Sequence, residues 1–83
     1  MRIFGMRHEE FHTGRYERYD ALKGILEFWV GEAKGVFVTI SFGKAGRSSH
    51  TASKEFQTSE EARRFLEGRV QQKVEEGFVL TSD

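Results

Sequence analysis

The chain has no cysteine and no proline among its 83 residues. Without cysteine there is no disulfide framework and no thiolate metal site. That is compatible with the cytoplasmic setting expected for it. Without proline, breaking the chain into elements falls to nine glycines. Neither sign of charge is in excess: thirteen Lys and Arg balance thirteen Asp and Glu. This argues against a broadly basic coat that would hold nucleic acid non-specifically. No apolar run approaches the ~20 residues of a membrane span. The stretch from Met1 to Arg7 lacks the apolar core of a signal peptide. Neither a membrane partner nor secretion is expected. Internal repeats and low-complexity tracts are lacking too.

What the chain does have is aromatic side chains: eight Phe, two Tyr and one Trp. A single domain of this length buries only about 60% of its unfolded surface. The core must be small, and large rings are the efficient way to fill it. Phe28, Phe37, Phe56, Phe65 and Phe78 are expected there.

Three β-type runs come first. Arg15 to Tyr19 alternates charged and aromatic residues, as a half-buried strand does. Ile25 to Val30 is a dense apolar run holding one charge, Glu27, and suits a central strand. Val36 to Phe42 puts Val36, Val38, Ile40 and Phe42 on one face at period two, and Phe37, Thr39 and Ser41 on the other. Gly31 and Gly35 in the link before it signal a hairpin. Ser49 to Gln57 is polar but β-compatible, and is expected to return as another antiparallel strand.

The helix signal follows. Thr58 with Glu61 three residues on forms a capping box, and Glu60 and Glu61 complement the positive end of the helix dipole. Ala62, Phe65, Leu66, Val70 and Val74 share one face, opposite Arg63, Arg64, Glu67 and Gln71. Gly77 is a natural stop, with Phe78 placed to fold back on the last turn. Gly68 inside the helix marks either close packing or nothing. The expected class is α+β: a small antiparallel β-sheet with one α-helix packed on one face. Residues 1–13 read as an N-terminal extension and 14–83 as the domain.

The most informative stretch is Ser41-Phe42-Gly43-Lys44-Ala45-Gly46-Arg47. From Val36 to Lys54 the cations are Lys44, Arg47 and Lys54, with no Asp or Glu. Two glycines let the backbone turn sharply, between an aromatic ring and two cations. A phosphate-rich ligand with a stackable ring needs those parts; a solvated hairpin loop is the plain alternative.

Two decoys lie nearby. His8-Glu9-Glu10-Phe11-His12 spells H-E-x-x-H, which on a helix could hold Zn²⁺. Thr13-Gly14 would end any such helix at once, so a protease is not expected. Gly43 to Ser49 is not G-x-x-x-x-G-K-[ST], and no helix follows it directly, so nucleotide hydrolysis is not expected either. No nucleophile–base arrangement stands out, and the expectation is a non-enzyme with no cofactor and no metal.

The stretch at Phe42 resembles the motif that names the WGR domain, which runs roughly W-G-R-x-G. Here Phe42 stands for the Trp and Lys44 for the Arg, while Gly43 and Gly46 match. Arg15-Tyr16-Glu17 looks like the family's first strand and Glu27-Phe28-Trp29-Val30 like its second. Lys54 to Ala62 looks like its helix entry, and Lys73 to Val79 like its helix exit. The resemblance spans about residues 15 to 80. It implies the same sheet-and-helix fold in a small stand-alone module of the bacterial type.

In relatives that sense DNA damage, the domain contacts DNA at a break: the motif aromatic packs on the terminal nucleotide and basic groups meet phosphates. Carried over, Phe42 would stack, Gly43 and Gly46 would allow close backbone approach, and Lys44 would supply the cation. Arg47 and Lys54 join them from charge placement alone. Phe offers a smaller face than Trp and no indole N–H, and Lys lacks the bidentate fork of Arg. Both changes weaken an inherited DNA role.

The first expectation is therefore a nucleic-acid-binding module of low affinity, recognising DNA ends or phosphate backbone. The alternative is a protein–protein interaction module on the same fold, docking through Trp29 on an open sheet face or through Arg63 and Arg64 on the helix. Trp29 would either do that or close the far side of the sheet. A metal-binding arm at His8 and His12 is the third option.

Overall fold

A computed structural model describes residues 10–82. Five strands and one helix follow in the order β1 (Glu10–Asp20), β2 (Ile25–Lys34), β3 (Phe37–Lys44), β4 (Ser49–Glu55), α1 (Ser59–Glu75) and β5 (Val79–Ser82). The strands form one antiparallel sheet in the spatial order β4-β3-β2-β1-β5. β1 to β4 are a meander joined by short turns. α1 then carries the chain back across one face, so that β5 pairs with β1 at the opposite edge. This is the expected α+β architecture.

The pleat separates two faces. Tyr16, Trp29, Ile40 and Phe42 lie on the face that α1 covers, together with Ala33 and Val38. The core is Trp29, Ala33, Val38, Ala62, Leu66 and Phe78. Ala62 and Leu66 are the inward face of α1, and neither exposes any surface. The opposite face carries Phe28 beneath the Arg15 guanidinium, 4.3 Å from its ring centre. Beside it runs a ladder of hydroxyls, with Thr39 paired to Ser53 and Ser41 to Thr51 at 3.4 and 3.2 Å.

Two glycines shape the sheet beneath α1. Gly31 sits within β2 rather than in the hairpin turn expected of it. A Cβ there would lie 2.6 Å from Leu66 Cδ1, so the missing side chain is what lets α1 settle on the sheet. At Gly14, φ is +82° and β1 bulges: residues 13 and 14 together oppose Gly31. The bulge takes the ladder partner away from the Gly31 N–H, and the Thr13 hydroxyl accepts it instead at 2.9 Å.

β1 begins at Glu10, earlier than the alternation from Arg15 indicates. Residues 10–13, read as extension, are therefore strand. His8 and Glu9 lie outside the described residues. Glu10, Phe11 and His12 are extended, not helical, and His12 Nδ1 accepts the Gly14 N–H at 3.0 Å.

The ends of α1 are as the sequence indicates. Thr58 Oγ1 accepts the Glu61 N–H at 3.1 Å. At the other end Gly77 has φ +100°. The Phe78 N–H reaches the Lys73 carbonyl and the Gly77 N–H the Val74 carbonyl, both at 3.0 Å. This is a Schellman cap, and it turns Phe78 into the core.

Several aromatic assignments change. Phe37 is 53% exposed because its side chain faces away from α1, and Val74 is 49% exposed because α1 has passed the edge of the core by its last turn. Of the five Phe residues expected inside, only Phe78 is fully buried, while Phe28, Phe56 and Phe65 are half-buried.

Candidate nucleic-acid interface

α1 does not cover the whole of its face. Where β1, β2 and β3 run past its C-terminal end, a groove of about 450 Å³ remains open. Its floor follows from strand register. Arg18, Glu27 and Lys44 stand side by side across β1, β2 and β3, and the next row but one is Trp29, Phe42 and His50 across β2, β3 and β4. One wall is the turn after β3, with Arg47 and Ser48. The other is the helix exit, with Lys73, Glu76 and Phe78.

The turn itself explains the two glycines in its motif. Lys44-Ala45-Gly46-Arg47 closes with the Arg47 N–H on the Lys44 carbonyl at 3.0 Å. Gly46 is the third residue of that turn and has φ +80°, as a type II turn requires. Lys44 and Arg47 are its first and fourth residues, so their Cα atoms are held within about 7 Å. Gly43 serves the hairpin rather than a ligand. A Cβ there would meet Ser49 Cα at 3.0 Å and the Ser48 carbonyl oxygen at 3.1 Å. Its value lies in letting β4 close tightly on β3.

Four cations and two carboxylates line the groove, but they are not equally committed. Arg18 Nε and Nη2 both donate to Glu27 Oε1, at 3.1 and 2.7 Å, and its Nη1 donates to the Glu76 carbonyl at 2.8 Å. Its guanidinium also lies 4.7 Å from the centre of the Phe78 ring. Arg18 therefore ties the sheet to the helix exit. Lys73 pairs with Glu76 at 3.3 Å. Among the described residues, Lys44 and Arg47 are in no ion pair, and both are exposed. The rim of the groove thus carries uncompensated positive charge although the chain as a whole has none.

Phe42 is 41% exposed, with its ring 5.5 Å from that of His50 and tilted by 31°. It sits where core gives way to groove and offers part of one face outward.

Phe42, Gly43, Lys44 and Arg47 are thus brought together on one groove, and Gly46 shapes its turn. Lys54 is not with them. It pairs with Val38 at the other end of β4, and its Nζ lies 5.2 and 5.3 Å from the Phe56 and Phe65 ring centres. The separation follows from strand geometry: the four residue steps from His50 to Lys54 along β4 span about 13 Å.

Trp29 is 2% exposed, covered by α1 and edge-on to Tyr16. As a docking platform it is ruled out, because the helix lies on the side of the sheet toward which it points. Arg63 and Arg64 are exposed on the outer face of α1. They pair with Glu67 and Glu60 at 3.3 and 3.1 Å, and the Arg63 guanidinium also lies over Phe11.

Sequence reasoning missed His50, and it missed the Arg18–Glu27 pair. Both are register effects. Once the turn is fixed at Lys44 to Arg47, counting back along β3 and forward along β4 sets His50 beside Phe42.

The WGR domain family model matches residues 15–83. The chain belongs to the WGR domain family. No curated protein and no solved structure matches it. WGR domains are binding modules of the nucleic-acid-binding type rather than catalytic domains. Among the described residues there is no group of three or more His, Cys, Asp or Glu able to hold a metal ion. No helix there is long and apolar enough to cross a membrane.

Proposed function

We propose that this WGR domain binds DNA weakly through the groove at the end of α1, with a phosphate backbone or a duplex end as its target. One observation carries the reading: Lys44 and Arg47, held together by one turn and without a carboxylate partner among the described residues, flank the exposed edge of Phe42. Phosphates supply the missing counter-charge, and a base or sugar covers the ring. Two cations are few, and this sets the affinity low: two phosphate contacts on B-DNA correspond to a log–log salt slope of about −2. Lys54 lies too far along β4 to join the same contact.

Fluorescence anisotropy with a labelled, 5′-phosphorylated duplex tests this at two salt concentrations. Saturable binding that weakens with salt is expected. A dumbbell duplex with both ends closed separates the two targets: equal affinity assigns the backbone, and lost affinity assigns the end. A flat titration at low salt contradicts the proposal.

Protein docking on the same fold is the second reading. It is favoured by the tip of the β1–β2 hairpin, where Leu22 is 99% and Tyr19 63% exposed. It takes precedence if DNA binding is not found.

A further inference from the structure

His50 is an exposed ring in the groove that the motif at Phe42 does not account for. It stands on β4 directly opposite Phe42 and is exposed. The two ring centres are 5.5 Å apart and the planes 31° from parallel, so together they present a broader, shallowly folded face than Phe42 alone. The imidazole also brings N–H donors, which Phe42 lacks. The turn that carries Lys44 and Arg47 immediately precedes β4, so His50 looks onto the same opening as these two cations.

Resting on the DNA reading above, we propose that His50 is a ligand-contacting residue of this groove. Its ring extends the Phe42 face under a base, and an imidazole N–H donates to a phosphate that Lys44 and Arg47 also hold. The charged groups facing it are Lys44 and Arg47 from β3 and its turn, Arg18 and Glu27 from β1 and β2, and Lys73 and Glu76 from the helix exit. Glu27 and Glu76 are already engaged by Arg18 and Lys73. Among the described residues, this leaves an incoming phosphate as the anion open to the His50 N–H.

The test is the affinity of a 5′-phosphorylated duplex for His50→Ala and His50→Phe beside the unaltered protein, with the fold of each variant checked by circular dichroism. His50→Ala, which removes both the ring and the N–H, should weaken binding by about fivefold or more. His50→Phe keeps a ring and should hold more of the affinity than His50→Ala does. An affinity unchanged in His50→Ala overturns the role of His50 while leaving DNA binding intact. Absence of binding by the unaltered protein overturns the DNA reading and this proposal together.

Discussion

Thr13 and Gly31 show how much of this fold hangs on single atoms. The bulge at residues 13 and 14 leaves the Gly31 N–H facing a gap in the ladder, and one hydroxyl fills it. Thr13→Val keeps the shape and removes the acceptor. A buried N–H left without a partner costs about 1–3 kcal/mol, so the midpoint of urea unfolding should fall with its slope unchanged. A midpoint indistinguishable from the unaltered protein would show that the hydroxyl is dispensable. At the same scale the groove divides its cations by what they already touch. Arg18 is occupied by Glu27 and by the Glu76 carbonyl, and serves to hold the helix exit against the sheet. Lys44 and Arg47 have no ion-pair partner among the described residues, and that difference, rather than the number of cations, is why the proposal takes them as the ligand-facing pair.

At the scale of elements, α1 is the part most plainly written in the sequence. Its start at Thr58, its stop at Gly77 and its buried positions Ala62 and Leu66 all rest on local rules: a cap, a left-handed glycine and a 3.6-residue period. Strands β2 and β3 are legible for the same reason, since alternation needs only neighbours in sequence. What the sequence alone did not show depends on partners far along the chain. Nothing near Trp29 indicates which side α1 covers, so its burial could not be told from exposure. Phe37 faces away from α1, and Val74 lies where the small core has run out. Lys54 belongs with Lys44 by charge pattern and is removed from it by strand length. The pairing of His50 with Phe42 could be counted out only after the turn was known. Gly68 ends on the bland side of its two readings: a Cβ there meets nothing within 4 Å. Gly68→Ala should therefore stabilise the protein by about 0.5–1 kcal/mol through helix propensity and a less free unfolded chain. Thermal unfolding should show a higher midpoint; a lower one would mean that the glycine has a packing role.

For the whole molecule, a net charge of zero and a DNA-binding role are reconciled by segregation. The acidic residues at the start of α1 lie far along the helix from the groove, and the carboxylates within the groove are tied up by Arg18 and Lys73. The positive field is thus local to one end of the sheet, and at physiological salt it reaches only about 8 Å beyond the surface. Such a field is suited to a few phosphates rather than to a long tract. The most direct measurement is the log–log salt slope of duplex binding for Lys44→Ala and Lys54→Ala beside the unaltered protein. The groove predicts a slope shallower by about one unit for Lys44→Ala and unchanged for Lys54→Ala. Equal losses in both, or a loss only in Lys54→Ala, would place the DNA somewhere other than the groove.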